Sequence, residues 1–261
     1  MIAQKALADS HPEYRVPFSL WLELAGSLLT GKPRSILADA LSCFADGRPP
    51  VRYLGLDHLP AEAPCVVACN HNSLSGFAAV WIALGISAAF AGRRNAGVET
   101  DVHWVMTAAW TYPDAPLKAR LLTPLTRWTF ARLARVYGFV NMPPMPPAAH
   151  EVQARAAAVL KTVRMARDHR ESGGLIGLAP EGRDNGPEMG AFPAGAGEFI
   201  GLLVRAGLAV LPVGVYEDGN TLVVSFGEVF VPEISAEKSA RDSAVSAQVM
   251  VAIRNQLPGV D

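Results

Sequence analysis

Residues 65–76 read Cys-Val-Val-Ala-Cys-Asn-His-Asn-Ser-Leu-Ser-Gly, an apolar run that ends abruptly in an Asn-His pair. A second apolar run, residues 77–91, follows directly. This pattern predicts a buried strand that delivers His71 to the start of a helix. Open α/β folds place functional residues at the carboxyl ends of such strands. A lone histidine is more often a satisfied core residue, so His71 becomes a site candidate only together with the segments described next.

A second strand that ends in polar residues lies further along the chain. Residues 174–183 read Gly-Leu-Ile-Gly-Leu-Ala-Pro-Glu-Gly-Arg, so an apolar strand breaks into a turn that carries Glu181 and Arg183. A third apolar strand, residues 209–215, follows a helix that is predicted to begin near Gly195. Parallel strands present their carboxyl ends at one edge of a sheet. We therefore predict that His71 lies within a few ångströms of the turn at residues 181–183.

The alternation of apolar strands with longer helical patterns predicts the fold class. It indicates a three-layer α/β/α fold with a mainly parallel sheet covered on both faces. Before the first strand, residues 16–30 form an apolar helical segment and residues 35–44 a second one. A Gly-Arg-Pro-Pro linker at residues 47–50 follows them. We accordingly divide the chain into an N-terminal helical pair, residues 1–48, and an α/β domain, residues 49–261.

Composition excludes several classes of protein. Half of the 261 residues are hydrophobic and 18% are charged, which is typical of a globular chain rather than a disordered one. The net charge of −1 argues against a nucleic-acid partner that would need a broad basic field. The cysteines are three in number, so they make a poor disulfide framework, and their spacing fits no zinc site. We expect no metal, and a reducing cytoplasm as the location.

Two features of the sequence argue against a segment that crosses a membrane. Charged residues interrupt the N-terminus before any apolar region, so no signal peptide is predicted. The longest uncharged run, residues 76–92, is at the short limit for a membrane span. It follows His71 directly and ends in two arginines, so we interpret it as a buried helix of a globular domain.

The ordered motifs resemble those of the glycerolipid acyltransferase superfamily, which acylates glycerol 3-phosphate and lysophospholipids. The matching segments are Asn70-His71 before an apolar helix, Pro180-Glu181-Gly182-Arg183 after a strand, and Val-Leu-Pro-Val-Gly-Val at residues 210–215. The lead-in at residues 53–60 is similar to the family's Gly-x-x-x-Leu-Pro approach to its first motif. The resemblance covers roughly residues 50–231.

This resemblance implies an acyltransferase with a defined set of site residues. His71 would act as general base, taking the proton of an acceptor hydroxyl that attacks a thioester, with Glu181 as its acidic partner. The donor would be acyl-CoA or an acyl carrier protein, used as a co-substrate, and no cofactor would be needed. The remaining substrate-binding residues implied by the motifs are Asn70, Asn72, Ser73, Ser75, Gly76, Gly182 and Arg183.

Three departures from the family pattern bear on the acceptor. The family has Asp where this chain has Gly76, and Arg183 follows Gly182 directly, without the intervening Thr. The second block, residues 138–144, contains no Arg. A phosphomonoester is normally held by a fork of arginines, and here Arg183 remains, with Arg93 and Arg94 as cations that could swing in. We therefore expect an acceptor that is neutral, or whose charge lies away from the reacting group: a hydroxyl or amine of a lipid or specialised metabolite.

Two alternative functions stay open. One is a catalytically weakened family member that binds an acyl chain or lipid without turning it over, since the Asp is missing. The other is a thioester or ester hydrolase that uses water, or Ser73 or Ser75, at the same site. No Gly-x-Ser-x-Gly motif surrounds these serines. Either Glu181 or Asn70 could replace the missing Asp as the partner of His71.

Two surface helices have two interpretations each. The helix at residues 16–30 carries Phe18, Trp21 and Leu22, and it could cap the core or dip into a lipid interface. The second interpretation makes the protein peripheral at the cytoplasmic face of a membrane. A helix rich in arginine and aromatic residues, residues 120–137, presents either a solvated face or a surface for phosphate and headgroups. The segment after the proline-rich loop at residues 142–147 is an amphipathic helical pattern, with Val152, Ala156, Val159, Leu160 and Val163 predicted on its buried face.

Overall fold

The strand at the centre of the fold is the one that precedes His71. A computed structural model of the protein describes residues 13–71, 79–112, 115–143, 148–182 and 189–259. All five residues of this strand are buried, as expected for a strand covered on both faces. Within the described ranges the strands are β1 (Val51–Leu54), β2 (Cys65–Cys69), β3 (Val102–Thr107), β4 (Val140–Met142), β5 (Leu175–Leu178), β6 (Ala209–Asp218) and β7 (Thr221–Phe226).

The helices follow the sequence pattern closely. They are α1 (Phe18–Thr30), α2 (Ile36–Phe44), α3 (Ala79–Ala89), α4 (Pro116–Tyr137), α5 (Val152–Ser172), α6 (Ala196–Arg205) and α7 (Arg241–Arg254). Short 3₁₀ turns occur at Leu56–His58, Ala149–Glu151 and Lys238–Ala240. Helix α5 ends at Gly173, whose φ of 73° is the left-handed conformation that glycine adopts without strain. No helix in the described ranges combines the length and apolar character needed to cross a membrane.

The seven strands form one sheet in the order β1-β7-β6-β2-β5-β3-β4. Every neighbouring pair is parallel except β6 and β7. These two strands are joined by the two residues 219–220, a connection too short for the crossover that parallel strands need. The predicted α/β fold with a mainly parallel sheet is confirmed.

The two faces of the sheet are buried under different helices. On β2, Cys65, Val67 and Cys69 belong to one core cluster, which also contains residues of α1, α2 and α3. The alternate residues Val66 and Ala68 belong to a second cluster, which contains residues of α5, α6 and α7. This alternation gives the three predicted layers, because successive side chains of a strand point to opposite faces.

The two N-terminal helices are attached to the rest of the fold by a buried ionic network. The Arg34 guanidinium donates to both Asp39 carboxylate oxygens, at 2.7 and 2.6 Å. The Tyr137 hydroxyl, at the end of α4, also donates to Asp39. This carboxylate therefore links α2 to α4. The division of the chain at residue 48 stays a prediction.

The buried face of α5 matches the predicted one only in part, because Val159 and Val163 pack against the second core cluster. Val152 and Leu160 are more than half exposed, whereas the small residues Ala158, Thr162 and Ala166 are buried. The Thr162 hydroxyl donates to the Ala158 carbonyl at 2.8 Å, so its burial leaves no unpaired hydroxyl. Small side chains let a helix approach its neighbours closely. Close packing, rather than the size of the apolar residues, therefore determines which face of α5 is most deeply buried.

Candidate active site

The register of the sheet brings the two predicted motifs together. Ala68 of β2 pairs with Leu178 of β5, so His71 and Glu181 each lie three residues beyond a paired position. The backbone N–H of His71 donates to Oε1 of Glu181 at 2.8 Å. The predicted proximity of His71 to this turn is therefore confirmed for Glu181, at the carboxyl edge of two neighbouring parallel strands.

Glu181 is a buried carboxylate that holds backbone groups from two other segments. Its side chain is among the largest fully buried ones, and the residue is 2% exposed. Besides the His71 N–H, it accepts the backbone N–H of Gly190 at 2.7 Å, through Oε2. The next residue, Gly182, has a φ of 67°, which explains a glycine at this point of the turn. Glu181 thus fastens the loop after β2 to the segment that leads into α6.

Asn70 fixes the end of β2 from the other side. Its Nδ2 donates to the Val215 carbonyl at 2.9 Å, and its Oδ1 accepts the Val215 N–H at 2.8 Å. The side-chain amide therefore pairs with the backbone of β6 as a further strand residue would. Because Asn70 and Val215 are both buried, these bonds form out of contact with water. The role of Asn70 in binding substrate stays a prediction.

The imidazole of His71 is the chemically distinctive group at this edge. Its Nδ1 is buried, and it has no hydrogen-bond partner in the described part of the chain. Glu181 and Asn70, the two residues predicted to replace the missing Asp, direct the bonds described above to backbone groups instead. A buried nitrogen without a partner is uncommon, and such atoms are found at functional sites.

The other predicted site residues on these two loops lie outside the described residues. They are Asn72, Ser73, Ser75, Gly76 and Arg183. Their assignment to the substrate stays a prediction. In the part of the chain that the structure describes, no group of three or more His, Cys, Asp or Glu side chains could hold a metal ion.

An apolar cavity of about 480 Å³ borders Glu181. It lies at the carboxyl ends of β3, β4 and β5, and its volume is within the range of small-molecule sites. Most of its lining is hydrophobic, from Val105, Met106, Met142, Leu178, Phe192 and Phe199. Among the described residues, two charged ones, Glu181 and Arg155, also line it.

Arg155 is a charged residue of this cavity that the sequence motifs did not single out. It lies in the first turn of α5, among several arginines that are spread along that helix. Its one distinguishing signal in the sequence is its place shortly after the proline-rich loop that follows β4. The four arginines of α5 look alike in a helical pattern, and only the fold shows which of them reaches the cavity.

Arg94 does not belong to the site, so the expectation that Arg93 or Arg94 could swing towards it is wrong. The Arg94 guanidinium donates to the carbonyls of Pro60, Ala63, Glu99 and Gly173. These carbonyls precede β2, β3 and β5, and therefore mark the amino edge of the sheet. Arg94 is buried there, and Arg93 is exposed beside it. A strand of five residues spans roughly 16 Å, which separates both arginines from His71.

Comparison with known proteins adds a likeness of fold. No protein-family model and no curated protein matches this chain. Among solved structures, the chain is similar to the crystal structure of the 1-acyl-sn-glycerophosphate (LPA) acyltransferase PlsC from Thermotoga maritima. That similarity has a TM-score of 0.47 and 14% sequence identity, and it covers 85% of this chain and 76% of that chain.

Proposed function

We propose that this protein is an acyltransferase that moves an acyl group from an acyl thioester to a hydroxyl or amine of a lipid or specialised metabolite. The observation that carries the proposal is the state of His71. It stands at the carboxyl edge of the sheet on a backbone held by Glu181, and its buried Nδ1 has no partner in the described residues. The resemblance of the ordered motifs to glycerolipid acyltransferases supports the same chemistry.

In the proposed reaction His71 acts first as base and then as acid. The neutral imidazole accepts the proton of the acceptor hydroxyl or amine while that atom attacks the thioester carbonyl. The tetrahedral intermediate then collapses, the carbon–sulfur bond breaks, and the imidazolium returns the proton to the leaving thiolate. The acyl group has moved to the acceptor, and the histidine is neutral again. No metal or redox step is required by this balance.

Glu181 enters the proposal as a positioning residue. Its carboxylate oxygens accept hydrogen bonds from the backbone N–H groups of His71 and Gly190. These bonds hold the main chain of the residue that carries the imidazole. General-base catalysis requires the base to lie within hydrogen-bond reach of the proton it removes. Fixing the backbone restricts the positions that the ring can take, although no carboxylate fixes the ring itself in the described residues.

The apolar cavity suits the hydrocarbon part of a substrate. Its hydrophobic lining removes methylene groups from water, and each buried methylene contributes about 0.8 kcal/mol. Glu181 borders this cavity and also contacts the backbone of His71. An acyl chain or a lipid acceptor in the cavity would therefore lie beside Glu181, the residue that holds the backbone of the proposed base.

We also propose that the outward face of α1 contacts a lipid surface. Phe18 is 75% exposed and Leu29 is 69% exposed, and Trp21 and Leu22 lie on the same side of the helix. The opposite side of α1 packs through Leu20 into the core. Exposed aromatic and leucine side chains on one helix face are typical of helices that lie in a membrane interface.

The neighbouring helix α4 supports the same orientation. It carries five cations, Lys118, Arg120, Arg127, Arg132 and Arg135, and no acidic residue. It also exposes Leu117, Leu121, Leu125 and Trp128 along one side. Basic residues beside an apolar stripe attract anionic headgroups and let the apolar side chains enter the interface.

The catalytic proposal is tested with His71→Ala and a radiolabelled long-chain acyl thioester. We expect His71→Ala to lose transfer to lipid and small-molecule acceptors by about 10²- to 10⁴-fold, the usual contribution of a general base. His150→Ala, at an exposed histidine, is the control and should keep wild-type turnover. Transfer that is unchanged in His71→Ala contradicts the proposal. Release of free acid alone indicates the hydrolase, and thioester that is bound but retained indicates the weakened binding protein.

The lipid contact is tested separately by co-sedimentation with vesicles of phosphatidylcholine and phosphatidylglycerol. Replacing Phe18 and Trp21 by serine should reduce the bound fraction, because both side chains would lose their burial in the interface. The control replaces the exposed Val251 of α7 by serine and should bind as the wild type does. Equal binding of both variants contradicts the proposed orientation.

A further inference from the structure

The side chain of Arg155 reaches the apolar cavity from the first turn of α5. Its Nη1 donates to the carbonyl of Pro143, just beyond the end of β4, at 2.6 Å. The residue is neither buried nor fully exposed, and it lines the cavity together with Met142 and Phe199. The cation is therefore anchored at one end and directed into a largely hydrophobic space.

This guanidinium has no anionic partner in the part of the chain that the structure describes. Its recorded hydrogen bond goes to a neutral carbonyl, and none of the described carboxylates forms an ion pair with it. Burial, with no opposing charge, lowers the pKa of Arg155 below its usual value. A partly buried charge is unfavourable unless it is paired. A guanidinium binds carboxylate and phosphate particularly well, through parallel N–H donors.

We infer that Arg155 binds an anionic group, a phosphate or a carboxylate, on a ligand whose hydrocarbon part fills the cavity. The carbonyl of Pro143 occupies one N–H of the guanidinium, which leaves further donors for the oxygens of the anion. The identity of that ligand as acceptor or donor rests on the proposed acyltransferase function. The binding of the anion itself does not depend on turnover.

The order of the strands places this anion away from the reacting group. His71 follows β2 and Arg155 is anchored beside the end of β4, and β5 and β3 lie between them. Three strand spacings amount to roughly 14 Å. A ligand that reaches both residues must therefore be extended, with its anion and its acylated group well separated. Glu181, two spacings or roughly 10 Å from the end of β4, directs both oxygens to backbone N–H donors.

The inference is tested by titrating the full chain with octyl phosphate and, in parallel, with neutral octanol. Wild-type protein should bind octyl phosphate more tightly than octanol. Arg155→Met should weaken octyl phosphate by about 10- to 100-fold, the loss expected for a charge-assisted hydrogen bond, and should leave octanol unchanged. Arg155→Lys should recover part of the loss. Arg164→Met, at an exposed arginine of the same helix, is the matched control and should bind as the wild type does.

Thermal unfolding separates binding from a merely structural role. Without ligand, Arg155→Met should unfold within a few degrees of the wild-type temperature, because removal of a charge without an anionic partner offsets the loss of the hydrogen bond to Pro143. With octyl phosphate, the wild type should be stabilised in a concentration-dependent way and the variant should not. If Arg155→Met does not fold, Arg155→Gln replaces it, since Gln keeps a donor for Pro143 without the charge. Equal affinity of the neutral variant and the wild type overturns the inference, as does a wild type that does not prefer the phosphate.

Competition by free coenzyme A distinguishes two sources of the anion. If coenzyme A displaces octyl phosphate and loses affinity in Arg155→Met, the phosphates of the donor occupy this position. If coenzyme A does not compete, the anion belongs to the acceptor. Both results support anion binding at Arg155. Failure of the proposed function would appear as absent transfer with intact octyl phosphate binding, whereas failure of this inference leaves transfer intact and removes the charge preference.

Discussion

Replacing Glu181 with glutamine tests whether the buried carboxylate holds the two loops of the site. In the wild type, its two oxygens accept one backbone N–H each, from His71 at 2.8 Å and from Gly190 at 2.7 Å. Glutamine has nearly the same shape, so the change leaves no cavity. Its amide presents one oxygen and one NH₂ group, and the NH₂ must face one of the two backbone donors.

The expected cost follows from that mismatch. A hydrogen bond to a charged group contributes about 1.5–3 kcal/mol, and a buried donor left without an acceptor adds to the loss. We expect the free energy of unfolding of Glu181→Gln to fall by about 2–4 kcal/mol. For a domain of this size, 1 kcal/mol corresponds to about 2–4 °C in Tm, so the Tm should fall by roughly 5–15 °C. Acyl transfer should fall as well, because His71 loses its fixed backbone.

Urea denaturation and thermal scans measure the change directly. The matched control is Glu198→Gln, at a partly exposed residue whose carboxylate pairs with Arg205 at 3.1 Å. An exposed ion pair contributes about 0–1 kcal/mol, so this control should differ little from the wild type. If Glu181→Gln is also within about 0.5 kcal/mol of the wild type, the carboxylate does not hold the loops and its assigned role is refuted.

Three further predictions follow from the described contacts. Asn70→Ala removes both bonds to the Val215 backbone and should lower the free energy of unfolding by about 2–4 kcal/mol in urea denaturation; a change under about 1 kcal/mol would exclude the role of Asn70 in fastening β2. Arg94→Met leaves the carbonyls at the amino edge without their donor and should cost about 3 kcal/mol, whereas the control Arg93→Met should cost less than about 0.5 kcal/mol. Burial, followed by the nearby His103, lowers the pKa of His169 from 6.5 to about 4. The unfolded chain therefore binds more protons, and stability should fall as the pH drops from 6.5 towards 4. Since the His169 ring is partly exposed, the loss should be about 1–2 kcal/mol, and His169→Leu should flatten this part of the pH profile.

The parts of the site that the sequence predicts are those fixed by strand pairing. His71 and Glu181 each follow an uninterrupted apolar strand, and the parallel sheet brings equivalent positions to the same edge. The sequence could not say which atom of His71 meets Glu181. Backbone and ring contacts both place the two residues close together, and only the geometry shows that the N–H is the group bound.

The parts that could not be predicted depend on how helices pack. The pattern of α5 favours its larger apolar residues as the buried face. The structure packs Val159 and Val163 against the core, but it exposes Val152 and Leu160 and fully buries the small residues Ala158, Thr162 and Ala166. Helix periodicity gives the direction of a side chain only relative to its own helix, so the choice between adjacent faces depends on the neighbouring elements. The same rotation determines that Arg155, rather than the exposed Arg164, reaches the cavity.

The contact between Glu181 and the peptide N–H of residue 71 does not depend on which side chain stands at that position. Every residue except proline supplies the same N–H group. A protein engineer could therefore replace the imidazole by a thiol or an amine and expect the backbone to keep its position. The substitution would place a nucleophile where the wild type has a base. Proline is the exception: His71→Pro would remove the donor and release the loop along with the chemistry.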